Sequence, residues 1–101
     1  MFVVYKYFLQ SNKIKPLEGE TKVWTATLPL YANVVRLGVS GGKPALWAIV
    51  DTEREQGYAD AHYVILGTGQ EIPKDVSYVS SIDNAPFVWH FFKLLYSKDT
   101  E

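Results

Sequence analysis

The sequence predicts an all-β fold: a small antiparallel sandwich or barrel of about seven short strands, forming a single domain over residues 1–101. Three observations support this prediction. Apolar and polar residues alternate with a period of two in most of the apolar segments. Aromatic residues, which suit pleated and half-buried surfaces, make up 15% of the chain. Glycine, proline, asparagine and aspartate separate the apolar runs at short intervals, as turns do.

The first two predicted strands flank a loop. Residues 2–10 alternate and are largely apolar on both faces, which predicts a strand at the centre of its sheet. Residues 11–21 contain Pro16, Gly19 and several charges, and they predict a connecting loop. The segment "KVWTATL", residues 22–28, alternates again and is interrupted by Pro29.

Residues 33–51 predict a β-hairpin, because two apolar runs flank the turn sequence "SGGK". A two-residue loop at Gly41-Gly42 pairs Val39 with Pro44, Leu37 with Leu46, Arg36 with Trp47 and Val35 with Ala48. This register gives one wholly apolar face, made of Val35, Leu37, Val39, Leu46, Ala48 and Val50. Val34, Arg36, Trp47 and Ile49 share the other face, where the Cβ atoms of cross-strand neighbours lie about 5 Å apart.

The second half of the chain predicts three more strands. Residues 61–66 end at Gly67-Thr68-Gly69, and the turn-rich "QEIPKD" leads to a strand over 76–82. The closing segment 86–96 is predicted as a strand from its aromatic content, although its apolar spacing also fits a helix face. An open sheet of this size leaves free edges, so the sequence further predicts a closed homo-oligomer.

Composition narrows the cellular setting and the partners. The chain contains no cysteine, which excludes disulfides, a thiolate nucleophile and a cysteine zinc site, and which suits a reducing compartment. The apolar start "MFVVYKYFLQ" contains Lys6 and is too short to span a bilayer. The sequence therefore predicts a cytoplasmic protein that does not associate with membranes.

Charge argues against a long nucleic acid as a partner, because the net charge is only −1 and the pI is near 6.1. The distribution is uneven. Residues 1–50 carry six lysines and arginines against two acids, whereas residues 51–101 carry four against nine. A small anion could still find a locally positive site in the first half.

Catalysis has little support in the residue pattern. His62 and His90 are the two histidines, and no pattern places a nucleophile beside either of them. Asp51, Asp75 and Asp83 fall at strand ends or turns, where aspartate caps the backbone. No ligand spacing supports a metal site. We therefore expect a protein that is not an enzyme and that requires no metal or cofactor.

Trp47 is the most informative candidate for binding. Beside Arg36 it forms either a surface cation–π pair or a surface that stacks a base and holds a phosphate, and the sequence leaves both open. Trp24 and Trp89 are each more often core residues than surfaces for a ligand. The "GTG" at 67–69 predicts a bend that needs glycine torsions, or a backbone nest in which the Thr68 hydroxyl contacts a ligand.

The chain also resembles a known group of proteins. "YKY" near the start, "GKPALWAIVD", "GTG" followed by "IPKD", and the closing "VWHFF" are similar to the pattern of a group of short, uncharacterised bacteriophage proteins. The match runs from about Tyr5 to Phe92. Two departures are Lys93, where the group usually has an acid, and a longer linker at 11–22.

That resemblance implies a function. The group is similar to phage proteins that sequester the cyclic nucleotides of antiphage signalling systems such as CBASS, which would make this chain a non-hydrolysing sponge for a cyclic di- or trinucleotide in the host cytoplasm. Bases would stack on aromatic side chains, cations would meet phosphates, and hydroxyl and amide groups would orient the ligand. The residues expected to do this are Lys6, Tyr7, Arg36, Lys43, Trp47, Gly67, Thr68, Gly69, Trp89 and His90.

Two other classes of function remain open at this stage. A phage inhibitor or assembly factor would use an exposed aromatic sheet face to bind a protein. A hydrolase of cyclic nucleotides would need a water-activating carboxylate or metal, for which the sequence shows no pattern. A concave aromatic pocket that contains a basic residue distinguishes the sponge from the protein binder, which needs a flat apolar patch.

Overall fold

Eight β-strands make up the regular structure of the computed structural model, which describes residues 1–11 and 21–95. The strands are β1 (Phe2–Phe8), β2 (Gln10–Ser11), β3 (Trp24–Pro29), β4 (Asn33–Ser40), β5 (Lys43–Asp51), β6 (Tyr58–Gly67), β7 (Val76–Asn84) and β8 (Phe87–Leu94). Within these residues there is no helix, so none that could cross a membrane. The prediction of an all-β fold is confirmed. Most of the predicted loop at 11–21, and the predicted strand end at 96, lie outside the described residues.

The strands form two antiparallel sheets. One has three strands in the order β1-β5-β4, and the other has five in the order β2-β3-β6-β8-β7. The chain divides into two compact units, which we describe separately. The first unit comprises Met1–Leu9 and Ala26–Ala61, and the second comprises Gln10–Thr25 and His62–Glu101.

The β4–β5 hairpin follows the predicted turn. Gly41 and Gly42 have φ values of +58° and +80°, the two successive positive angles that a type I′ turn requires and that fit the twist of a hairpin. Arg36 lies opposite Trp47, as the sequence predicts. The predicted pairs nearer the turn, Val39 with Pro44 and Leu37 with Leu46, are also confirmed. Farther from the turn than Arg36 the predicted register is wrong, because a β-bulge shifts the pairing.

The bulge changes the face that Val35 occupies. Val34, rather than Val35, pairs with Ala48, and Val35 is left as the extra residue with 51% of its surface exposed. A bulge inserts one unpaired residue and so exchanges the two faces beyond it. Leu37, Leu46 and the rest of the predicted apolar face stay buried or half-buried, but Val35 does not belong to it.

The first strand is at the edge of its sheet, not at the centre as its apolar composition suggests. Phe2, Val4 and Phe8 occupy one face of β1 and are 71%, 58% and 44% exposed. A strand that is apolar on both faces is usually buried on both. Here one apolar face is on the surface, and sequence composition does not distinguish these two cases.

The second unit is organised around β6, β8 and β7. The closing segment is a strand, which confirms the strand interpretation over the helical one. The side chains of β8 alternate between the two faces of the sheet. On one face, the core cluster of the second unit consists of Val23, Val64, Leu66, Phe92 and Leu94, with Val76 packed against it. Phe91, on the opposite face of β8, is fully buried.

The hairpin turn yields a first prediction. Gly42→Ala should lower the free energy of unfolding by about 1–2 kcal/mol, because a Cβ atom penalises positive φ. Gly57→Ala is the matched control, since that glycine has open space around it and its φ is not in the positive region. Urea denaturation checks both variants. Equal stability of the two would show that the positive φ at Gly42 carries no cost.

A second prediction concerns Tyr63, which is buried in β6. Burial disfavours the phenolate and raises the pKa of Tyr63 above the 10.0 of a free tyrosine. The phenol therefore ionises at lower pH in the unfolded chain than in the folded one. Its contribution to stability is complete below pH 10.0 and is lost as the pH rises through the folded pKa.

We expect urea denaturation at increasing pH to show a smaller alkaline loss of stability for Tyr63→Phe than for the original chain. Tyr31→Phe, which removes a phenol from a residue that is 61% exposed, serves as the control. If both variants lose stability in parallel with the original chain, the ionisation of Tyr63 does not drive the alkaline loss.

Candidate functional site

The ten residues predicted to bind a ligand fall into two groups, one in each unit. Five belong to the first unit, on its three-stranded sheet: Lys6, Tyr7, Arg36, Lys43 and Trp47. The other five belong to the second unit, at the end of β6 and in β8: Gly67, Thr68, Gly69, Trp89 and His90. We therefore consider each group as a separate candidate site.

On the first unit, a row of three side chains crosses the sheet. Lys6 lies opposite Trp47 on β5, and Trp47 lies opposite Arg36 on β4, so all three share one face. The guanidinium carbon of Arg36 is 5.0 Å from the centroid of the Trp47 ring. Gly38 allows this close packing, since a Cβ there would lie 3.2 Å from the indole. Trp47 and Arg36 thus form a surface cation–π pair.

The remaining predicted residues of this unit are directed elsewhere. Lys6 donates a hydrogen bond from Nζ to Ser40 Oγ at 2.8 Å. Lys43 is exposed beside the turn. Tyr7 lies on the opposite face from Trp47, where burial, followed by the nearby Tyr5 and Tyr58, raises the pKa of its phenol. Trp47 and Tyr7 therefore cannot stack on one ligand from the same side of the sheet.

The second unit contains a cleft of about 1150 Å³. Trp24 from β3 and Trp89 from β8 line it, together with Phe87, Ile65 and the loop 70–74. The alternation of strands brings these aromatic residues together, because Phe87 and Trp89 are two positions apart and so project from the same face of β8. The cleft exceeds the range of about 300–1,000 Å³ that is usual for small-molecule sites.

The polar lining of the cleft is mixed and slightly basic. Lys22 and Lys74 contribute two ammonium groups, against the single carboxylate of Glu71. Gln70 adds an amide. Ammonium groups beside half-buried indole rings are suited to a ligand that combines flat rings with negative charge.

The "GTG" segment forms the turn that leads into the loop of the cleft. The N–H of Gln70 donates to the carbonyl of Gly67 at 3.2 Å, and Gly69 has a φ of +93°, as expected for the third residue of a type II turn. Gly67 donates its own N–H to Gln70 Oε1 at 2.6 Å, and a Cβ on Gly67 would lie 3.3 Å from that oxygen. The amide of Gly67 is thus already bonded within the protein.

His90 belongs to a chain of four hydrogen-bonded side chains. Its Nε2 is 2.9 Å from Thr68 Oγ1, its Nδ1 is 2.6 Å from Ser81 Oγ, and Ser81 Oγ is 2.7 Å from the hydroxyl of Tyr78. The Ser81 hydroxyl, which lies between Tyr78 and His90, can accept from one and donate to the other, so the direction of the hydrogen bonds follows from which imidazole nitrogen carries the proton. A second cavity of about 310 Å³ adjoins it and is also lined by Leu66, Ile72 and Phe92.

The other histidine is also bonded within the protein. His62 Nδ1 is 3.0 Å from the hydroxyl of Thr25, which is 1% exposed. Among residues 1–11 and 21–95, no three histidine, aspartate or glutamate side chains lie close enough together to hold a metal ion. The chemical character of the cleft therefore comes from its aromatic and cationic groups.

Comparison with known protein families matches residues 1–100 to a family described as a domain of unknown function, DUF7352. The chain belongs to this family. No curated protein and no solved structure matches the sequence. Since this DUF7352 family has no assigned activity, the function of the chain has to be argued from the geometry of its sites.

Among the aromatic and cationic residues of the cleft, four were not predicted to bind a ligand: Lys22, Trp24, Lys74 and Phe87. A local signal was present, because Lys22 and Trp24, like Phe87 and Trp89, are two positions apart along an extended chain. What the sequence does not provide is the strand order β3-β6-β8, which brings these two pairs into one cleft.

The hydrogen-bonded chain yields a third prediction. Ser81→Ala removes the hydroxyl that links Tyr78 to His90, and it should lower the free energy of unfolding by about 0.5–1.5 kcal/mol for each bond lost. Ser77→Ala, at an exposed position on the same strand, is the control. Urea denaturation measures both, and an equal effect of the two would mean that the chain contributes nothing to stability.

Proposed function

We propose that this DUF7352 protein binds cyclic oligonucleotides in the cleft of its second unit and sequesters them without cleaving them, as a phage protein that blocks host immune signalling. The observation that carries the proposal is the convergence of Trp24 and Trp89 with Lys22 and Lys74 in one concave site. This is the combination that favours a nucleotide sponge over a protein-binding surface.

Each part of such a ligand has a matching group in the cleft. Base stacking on an aromatic side chain contributes about 1–3 kcal/mol per base, and two indole rings are present. The ammonium groups of Lys22 and Lys74 pair with phosphate oxygens, while Glu71 and the Gln70 amide can accept or donate hydrogen bonds at base edges.

Sequestration fits the site better than hydrolysis does. Cleavage of a phosphodiester needs a group that activates the attacking nucleophile within hydrogen-bonding reach of it. Neither histidine lines the cleft, and Glu71, the one carboxylate among the lining residues, has no second acid or histidine beside it there. The cations of the cleft stabilise bound phosphate in the ground state, which favours retention of an intact ligand.

Three further parts of the sequence interpretation stay predictions: the cytoplasmic location, the arrangement of the sheets as a sandwich or barrel, and the closed homo-oligomer.

The surface around Trp47 and Arg36 is the alternative place for the ligand. This surface is less suitable than the cleft, because the Arg36 guanidinium already lies against the Trp47 indole ring that would have to stack on a base.

The fourth prediction tests the site by isothermal titration with a panel of cyclic di- and trinucleotides. Trp24→Ala and Trp89→Ala should each weaken binding by about five- to 150-fold, the equivalent of one lost stacking interaction. Lys22→Ala should weaken binding and reduce its dependence on salt. Trp47→Ala, which removes a tryptophan from the first unit, is the matched control and should bind normally.

Release of the ligand distinguishes binding from cleavage. Heating the loaded protein should return the cyclic nucleotide intact, as measured by chromatography. Recovery of linear products would identify a hydrolase. Loss of binding in Trp47→Ala but not in Trp24→Ala or Trp89→Ala would move the ligand to the three-stranded sheet, and no binding by the folded protein would refute the proposal. Thermal melting followed by circular dichroism confirms that each variant is folded.

A further inference from the structure

Among residues 1–11 and 21–95, the two sheets have four outer strands, and three of them are protected against pairing with another chain. Strand β2 has two residues, β4 has a bulge between Val34 and Arg36, and β7 has a bulge between Tyr78 and Ser80. Short strands and bulges are common ways to stop one sheet edge from adding to another. The fourth outer strand, β1, is seven residues long and pairs with β5 without any shift of register.

The free edge of β1 is defined by its hydrogen bonds to β5. The N–H of Thr52 donates to the carbonyl of Met1 at 2.9 Å, and the N–H of Leu9 donates to the carbonyl of Pro44 at 3.0 Å. In a regular antiparallel pair, alternate residues bond to the partner. The odd-numbered residues of β1 therefore bond to β5, and the even-numbered ones direct N–H and C=O groups to the open side: Phe2, Val4, Lys6 and Phe8.

The side chains of β1 do not hinder the pairing of another strand with its open edge. Lys6 is the one charged residue of β1, and a lysine on an edge strand normally hinders pairing. Its Nζ reaches over β5 to the Ser40 hydroxyl on β4, at 2.8 Å, so the charge is drawn away from the open side. The neighbouring Phe2, Val4 and Phe8 are all exposed.

We infer that β1 pairs with β1 of a second copy of this chain, in antiparallel orientation about a twofold axis at Tyr5, joining two three-stranded sheets into one of six strands. In this register Phe2 faces Phe8 and Val4 faces Lys6. All seven residues are paired, and every outward N–H and C=O group of the strand obtains a partner.

Neighbouring registers are less favourable. An axis at Val4 leaves Phe8 without a partner residue in β1, and an axis at Lys6 leaves Phe2 without one. The Tyr5 axis avoids both defects and creates two Phe2–Phe8 cross-strand aromatic pairs, one on each side of the axis. The second copy is thus favoured by the self-complementarity of the edge, and the inference does not depend on the proposed ligand.

The fifth prediction tests the interface by light scattering after size-exclusion chromatography. The original chain should be a dimer, or a multiple of one, at micromolar concentration. Val4→Pro removes an outward N–H without breaking a bond to β5, so it should halve the mass. Val4→Thr keeps the N–H and the β-branched shape, and should retain the original mass. Thermal melts of both variants report whether they are folded.

A cysteine placed on the axis tests the register, because the chain has no other cysteine. Tyr5→Cys would face its own copy at a pair whose Cα atoms lie about 4.5 Å apart, within disulfide reach, and should give a covalent dimer on oxidation. Val3→Cys, which would face Tyr7, should not. A monomeric original chain, a mass unaffected by Val4→Pro, or cross-linking of Val3→Cys instead of Tyr5→Cys would each overturn the inference.

Discussion

The register between β6 and β8 determines both cavities of the second unit. It sets Leu66 opposite His90 and Gly67 opposite Trp89. Because neighbouring residues of a strand project to opposite faces, His90 lies on the face with the hydrogen-bonded chain and Trp89 on the face with the cleft. A slip of one residue would exchange the two faces and destroy both sites.

Local features of the chain were predictable from sequence because their causes are local. Two consecutive glycines permit the positive φ values of a type I′ turn, and the turn fixes Arg36 opposite Trp47. The bulge at Val35 has no comparable signal, because valine is as suitable in a paired position as in an unpaired one. The prediction therefore failed at the point where the pairing, and not the turn, decides which face a residue occupies.

The cleft could not be predicted for a different reason. Trp24 and Trp89 are 65 positions apart in the sequence, and they share a cleft because β3, β6 and β8 are neighbours in one sheet. Non-consecutive strand order depends on the free energy of the whole sheet and not on any short segment. A similar limit applies to β1, whose apolar residues predict a central strand but instead form an exposed edge face.

The loop that follows β6 is a wall shared by two cavities. Gly67, Gln70 and Ile72 line both the larger cleft and the smaller cavity beside His90. A molecule that displaces Ile72 to enter one cavity necessarily reshapes the other, so the two occupancies are linked, and the effect of the first on the second equals the effect of the second on the first. For the same reason, a substitution at Gln70 or Ile72 changes both cavities at once, whereas Lys74 lines the larger cleft alone and Thr68 the smaller cavity alone.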